Sequence, residues 1–211
     1  MMLTKEQIDA ALIERHGAEN QKKLAAATVG IAGLGGLGSN IAMYLARLGV
    51  GHLILVDFDV VDVSNLNRQH YFLRHLGKPK PDALKEQLME LNPYLNYETH
   101  CMRITPENVC TLFAGCDVIC EAFDKPDQKA MLAESVLTGL PEIPLTSGSG
   151  MAGSDSANKI HTVRRFGKFY LSGDGTADVA DGLGLMAPRV AACAAHEATM
   201  VMRLLLGETE P

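Results

Sequence analysis

The 211-residue sequence contains no C-x-x-C pair, and its five cysteines fall at positions 101, 110, 116, 120 and 193. An odd count without paired spacing argues against a disulfide framework and against a cysteine-rich zinc site. Basic residues do not predominate either. Lys and Arg total 19 against 25 Asp and Glu, a net charge of −6. A duplex-binding protein needs a basic face, so nucleic acid is not an expected partner. No apolar run approaches the roughly 18 residues of a membrane span, so a membrane is not expected. Met1 to Lys5 lack the basic-then-apolar order of a signal peptide, and the expected compartment is the cytoplasm. No repeat, low-complexity tract or linker divides the chain, so residues 1–211 are expected to form one domain.

Hydrophobic residues at 47% and charged residues at 21% are ordinary for a globular protein and exclude a disordered chain. A chain of this length buries roughly 70% of its unfolded surface and folds without a metal or disulfide staple. Thr4-Lys5-Glu6-Gln7 reads as a capping box opening an N-terminal helical segment, about 4–27, interrupted at Gly17. Short apolar strands are expected at 29–32, 53–56, 118–120 and 143–147, with a strand pair at 160–163 and 168–171. Helices are expected at 41–48, 81–91, after the Thr105-Pro106 cap, at 126–137 and at 188–206. Strands alternating with helices predict an α/β, doubly wound, mostly parallel sheet of Rossmann-like type, with an added C-terminal strand pair and final helix.

Gly33-Leu34-Gly35-Gly36-Leu37-Gly38 satisfies G-x-G-x-x-G between the first strand and a helix. Gly33, Gly35, Gly36 and Gly38 allow a tight turn and close backbone approach to a phosphate, which the helix N-terminus attracts. Asp57 ends the next strand, where an acid accepts hydrogen bonds from ribose hydroxyls. The motif alone does not choose among NAD, FAD and ATP. Beyond it, Asn65, Arg68 and Gln69 form a polar cluster, and Gly77-Lys78-Pro79-Lys80 sets two lysines at a helix start. Cations there oppose the helix dipole. Lys78 reads as a surface lysine, whereas Arg68 and Lys80 read as phosphate contacts.

These residues carry a resemblance. Gly33–Ser39, Asp57, Ser64-Asn65-Leu66-Asn67-Arg68-Gln69, Gly77–Lys80, Asp124 after Cys120-Glu121-Ala122-Phe123, and Arg15 together resemble the ThiF/MoeB family, the bacterial relatives of ubiquitin-activating enzymes. The resemblance runs from about residue 12 to 207. The short length and Ser172-Gly173-Asp174-Gly175 most resemble a compact ThiF subgroup that adenylates the sulfur carrier ThiS in thiamine biosynthesis.

The resemblance implies an adenylyltransferase. The C-terminal Gly-Gly carboxylate of a small ubiquitin-like sulfur carrier would attack the α-phosphorus of ATP and release pyrophosphate. No general base is needed, because the nucleophile is already an anion. Cations and oriented N–H groups let two anions meet. The resemblance implies ATP and Mg²⁺ as cofactors, with Asp57 on ribose, Asn65, Arg68 and Lys80 on phosphates, Gln69 in the same shell and Asp124 on Mg²⁺. A helix cap is the other reading of Asp124. It further implies a homodimer in which Arg15 reaches the partner's ATP site, although Arg15 also suits the C-terminal end of its own helix. No zinc is expected. Cys193 reads as a small buried residue, so a covalent cysteine step is not expected. Lys125 stands where the family often has Asn, and Lys129 is either a basic site position or a solvated helix residue. The seven histidines show no metal-ligand spacing. The Gly-, Ser- and Asp-rich stretches 148–156 and 172–184 are expected to be either a channel for a Gly-Gly tail or simply mobile. The competing readings are another substrate for the same chemistry (the molybdopterin sulfur carrier, a peptide or a tRNA base), an NAD-dependent oxidoreductase, or a non-catalytic nucleotide-binding scaffold.

Overall fold

A computed structural model describes residues 3–177 and 179–211. Met1 and Met2, where the reading for a signal peptide begins, and Asp178, within the 172–184 stretch, lie outside the described residues. The elements run α1 (Lys5–His16), α2 (Ala18–Ala26), β1 (Thr28–Ala32), α3 (Gly36–Arg47), β2 (His52–Asp57), α4 (Lys80–Leu91), β3 (Asn96–Cys101), α5 (Pro106–Phe113) and β4 (Val118–Glu121). They continue as α6 (Pro126–Gly139), β5 (Leu145–Gly148), β6 (His161–Phe166), β7 (Phe169–Gly173) and α7 (Ala187–Leu206). The Thr4 box forms as read: its hydroxyl accepts from the Gln7 N–H, and the Gln7 carbonyl oxygen accepts from the Thr4 N–H.

Seven strands form one sheet in the order β3-β2-β1-β4-β5-β7-β6, parallel except for β6 against β7. The fold is the Rossmann-like α/β arrangement expected. Its apolar runs explain the two-sided layering. Val29 and Ile31 of β1, Leu53 and Leu55 of β2, and Val118 and Cys120 of β4 face one core with α3, α4 and α7. Their neighbours Ala32, Ile54, Val56 and Ile119 face a second core with Phe113, Leu132 and Val136. A strand buried on both faces reads as continuous hydrophobicity because alternate residues serve opposite layers. Gly30 is the gap in that pattern: a Cβ there would stand 2.5 Å from the Phe113 ring, so the missing side chain is the space Phe113 fills.

β3 is a strand that the hydrophobic pattern did not predict. It lies at the sheet edge, pairs only with β2, and buries Tyr97 alone among Asn96–Cys101. An edge strand with one buried position has no apolar run to reveal it. The other elements agree with expectation to within a few residues at their ends, except α3, which opens at Gly36, inside the glycine motif rather than at 41.

Candidate active site

Order reverses between β1 and β4, the place where an open parallel sheet leaves a crevice beyond its carboxyl ends. A cleft of 630 Å³ lies there. Five basic side chains (Arg68, Lys80, Arg103, Lys125 and Lys129) and three acidic ones (Asp57, Asp59 and Asp124) line it. A basic surplus in a chain of net charge −6 marks the cleft as a place for anions.

The glycine loop forms one wall. Gly33 has φ +92°, and a Cβ on it would stand 2.9 Å from the Ala122 carbonyl oxygen. A Cβ on Gly38 would stand 1.9 Å from the Gly33 carbonyl oxygen, so this glycine lets the helix close on the strand end. α3 begins after Gly35 with no side-chain cap. Its first-turn N–H groups therefore face the cleft as free donors at the positive end of the helix. The carbonyl side is stitched down. Ser39 Oγ donates to the Gly35 carbonyl at 2.6 Å and accepts from the His70 N–H at 3.0 Å. Asn40 Nδ2 donates to the carbonyls of Gly36 at 2.7 Å and Arg68 at 3.3 Å. Tyr71, buried, donates to the Leu34 carbonyl at 2.8 Å.

Asp57 ends β2 and is nearly buried. Its Oδ2 accepts from the Leu34 N–H at 2.7 Å and its Oδ1 from the Asp59 N–H at 2.8 Å. Burial pushes its carboxyl up, and Lys80 and the two N–H donors oppose that. Lys80, 5% exposed, reaches Asp59 Oδ2 at 3.0 Å. The Arg68 stem lies over Gly36, and its Nη1 donates to the Ser64 carbonyl and Asn67 Oδ1. Among the described residues Arg68 makes no ion pair. Gln69 is 9% exposed, and among the described residues its buried Oε1 has no hydrogen-bond partner. Its Nε2 is close to Gly35.

Asp124 lines the opposite wall, exposed, with no hydrogen bond or ion pair among the described residues. It does not cap α6. The N-cap of that helix is Lys125, which makes no side-chain capping bond. The remaining sequence candidates lie elsewhere. Asn65 is outside the lining, its Oδ1 accepting from the Asp62 N–H in the short turn Val63–Asn65 that presents Arg68 and Gln69. Arg15 is exposed in the last turn of α1, outside the lining of its own chain's cleft, and among the described residues it makes no bond that would cap its own helix. Lys78 pairs on the surface with Glu86 at 2.6 Å.

Two ion pairs are not legible in the sequence, although Lys129 itself stands there as a basic site position or a solvated helix residue. Lys129 lines the cleft and reaches buried Glu121 at 2.8 Å. Arg189, in the first turn of α7, forms a buried ion pair with Asp174 at 2.5 Å and donates to the carbonyls of Asp155 and Ser156. That pair ties the two glycine-rich stretches together. The cleft runs from the nucleotide wall to Gly148, Ser149, Gly150, Met151, Ala152 and Ala177, a limb in which small residues predominate, with Val179 and Leu185 beside it. Cys193 is buried, its thiol 3.3 Å from the Ser172 carbonyl and pushed by burial up to about 12.

An open doubly wound sheet with a glycine loop at its switch point defines a nucleotide-binding α/β protein. Residues 6–211 match the ThiF family, and the chain belongs to that family. The adenylyltransferase and sulfurtransferase uba4 of Aspergillus terreus is 42% identical over 132 residues, 62% of this chain and 27% of that protein. The UBA4 counterpart of Eremothecium gossypii is 37% identical over 158 residues, 74% of this chain and 35% of that protein. The match therefore spans only about a third of these curated relatives. Among solved structures, E. coli tRNA N6-threonylcarbamoyladenosine dehydratase, TcdA, in complex with ATP has TM-score 0.86 at 22% identity and covers 98% of each chain. E. coli MccB with AMPCPP and MccA has TM-score 0.73 at 21% identity and covers 99% of this chain and 66% of that one.

Proposed function

We propose that this protein is an adenylyltransferase that joins the AMP moiety of ATP to the C-terminal carboxylate of a small ubiquitin-like sulfur carrier and releases pyrophosphate. The observation that carries this reading is a convergence. One cleft holds the uncapped start of α3, the orphaned Gln69 oxygen, and the cations Arg68 and Lys80, and it continues into the small-residue limb at 148–152. A polyphosphate suits the first part, and an extended tail without bulky side chains suits the second. The names of the relatives pair adenylyl transfer with sulfur transfer, which supports a sulfur carrier as the acceptor.

Asp57 orients the ribose and fixes the Leu34 turn. Arg68 and Lys80 hold phosphate charge, with the α3 N–H groups, as the carboxylate approaches. Asn65 serves the same phosphates through the turn that presents Arg68. Gln69 supplies an acceptor, or through its Nε2 a donor, beside the Gly35 backbone. The residues present fit Mg²⁺: Asp124 is an exposed carboxylate lining the cleft, and among the described residues it has no hydrogen bond or ion pair. Held there with ATP, the ion would supply positive charge against the leaving pyrophosphate. No cysteine need take part, since Cys193 is buried and its thiol stays protonated at neutral pH. The finer reading, that the carrier is ThiS of thiamine biosynthesis, rests on the likeness through Ser172–Gly175. The protein acts as a cytoplasmic homodimer, with Arg15 reaching the partner's phosphates.

Carrier-dependent ATP–pyrophosphate exchange tests the function. Purified ThiS, a molybdopterin sulfur carrier, a free peptide and tRNA are offered separately with Mg-ATP. Exchange with a Gly-Gly carrier is the expected result, and with ThiS the strongest. Exchange with tRNA or peptide alone overturns the carrier. Thermal stabilisation by NAD but not by Mg-ATP overturns adenylation altogether.

A further inference from the structure

Among the described residues the Asp124 side chain makes no hydrogen bond or ion pair, so its direction is not set through the carboxylate itself. Its direction comes from the backbone that delivers it. β4 makes its last ladder bond when the Ala122 N–H reaches the Ala32 carbonyl at 2.9 Å, and the chain then leaves the sheet. Two charged side chains hold the next residue. Glu121 Oε1 accepts from the Phe123 N–H at 2.7 Å. Lys129 Nζ donates to the Phe123 carbonyl at 3.1 Å, and this carbonyl belongs to the peptide bond that leads into Asp124.

The clamp is itself anchored. Glu121 is 1% exposed, and its Oε2 accepts from Ser147 Oγ of β5 and from Lys129 at 2.8 Å. Lys129 lies one turn into α6, whose start has no side-chain cap of its own. Strand β4, strand β5 and helix α6 thus meet at one ion pair under the Asp124 loop. A buried pair of this kind costs desolvation and contributes little net stability, so hydrophobic residues of similar size would hold the fold as well. Hydrophobic residues would not grip a peptide N–H and a carbonyl on successive sides of one residue.

We propose that Glu121 and Lys129 are positioning residues that aim the Asp124 carboxylate at Mg-nucleotide. The proposal rests on the assignment of Asp124 to magnesium given above. The two residues stand to Asp124 as partners behind a metal ligand do, and loss of such partners costs roughly 10–100-fold in metal affinity.

The test is calorimetric binding of ATP to the full chain, once with magnesium and once with EDTA. The quantity read is the gain in affinity that magnesium brings. Asp124→Ala abolishes the gain. Lys129→Met removes one cleft cation and so weakens ATP binding in both conditions, but it also cuts the gain by roughly tenfold, and Lys129→Arg restores the gain. If Lys129→Met leaves Glu121 unpaired and the protein does not fold, Glu121→Gln with Lys129→Met removes both charges, keeps an acceptor for the Phe123 N–H, and shows the same reduced gain. Loss of the gain in Asp124→Ala with a full gain in the Lys129 variants overturns the positioning role alone. Equal weakening with and without magnesium also overturns it, because that is the mark of a merely structural pair. A full gain in Asp124→Ala overturns the magnesium assignment and the positioning role with it.

Discussion

The two walls of the cleft are built on different plans. The nucleotide wall is held at many points: Asp57 grips two backbone N–H groups, Tyr71 and Ser39 grip two carbonyls, and Asn40 joins the start of α3 to Arg68. The far wall, 148–156 and 172–177, draws on Gly148, Gly150, Gly153, Gly173 and Gly175, and its main side-chain tie is the Arg189–Asp174 pair. Redundant fixing suits a ligand of constant shape, such as a nucleotide. A glycine-rich wall held by backbone bonds between its two stretches and by the Arg189–Asp174 pair suits a ligand that has to be threaded into place. The difference teaches that, in the proposed reaction, affinity for nucleotide and acceptance of a carrier should be separable.

The sharpest way to break the contrast is Arg189→Met. It leaves Asp174 buried without its cation and should destabilise the fold by about 3–5 kcal/mol, read from the urea midpoint. Carrier-dependent exchange should fall far more than ATP affinity. Equal losses would show that the two walls are not separable.

Glu197 gives a smaller, pH-dependent effect. It sits in the apolar stripe of α7, its Oε1 accepting from Thr146 Oγ1 at 2.9 Å and its buried Oε2 having no hydrogen-bond partner among the described residues. Burial, then the charge of Glu121, raises its carboxyl to about 8. The folded protein therefore holds a proton that the unfolded chain has released. Stability present below the ordinary Glu range is lost as pH rises from about 4.5 through about 8. Glu197→Gln should raise the melting temperature at pH 9 and change it little at pH 4. A constant difference across that range would contradict this.

Asn65→Ala should matter least. The side chain closes a local turn outside the cleft, so the expected cost is about 1 kcal/mol of stability. ATP affinity should change by less than roughly threefold, well under the tenfold of a 1.4 kcal/mol loss. A tenfold loss of ATP affinity would return Asn65 to direct phosphate contact.

Sequence pattern revealed the nucleotide wall because that wall is local. Glycines at fixed spacing, Asp57 nineteen residues on and the basic cluster after it are neighbours in the chain as well as in space. The central strands were legible for a related reason: layers on both sides leave an uninterrupted apolar run. β3 escaped because one buried Tyr97 makes no pattern. The Lys129–Glu121 and Arg189–Asp174 pairs escaped because they depend on elements brought together only by folding. Arg189 did leave a signal. A cation in the first turn of a helix opposes the dipole, which is the argument that picked out Lys80, and it applies equally at the start of α7.

Helix α1 buries none of its twelve residues. A helix of that length in isolation is marginal in water, and here a capping box and contacts with α2 are its main supports. Its opening is thus nearly uncoupled from global unfolding, so its amides exchange with solvent through a local event of low free energy. In the proposed dimer the same segment carries Arg15 to the partner's site. If that dimer forms, order in α1 becomes a function of protein concentration, and dilution would withdraw Arg15 from the neighbouring site while both cores of the monomer stay intact.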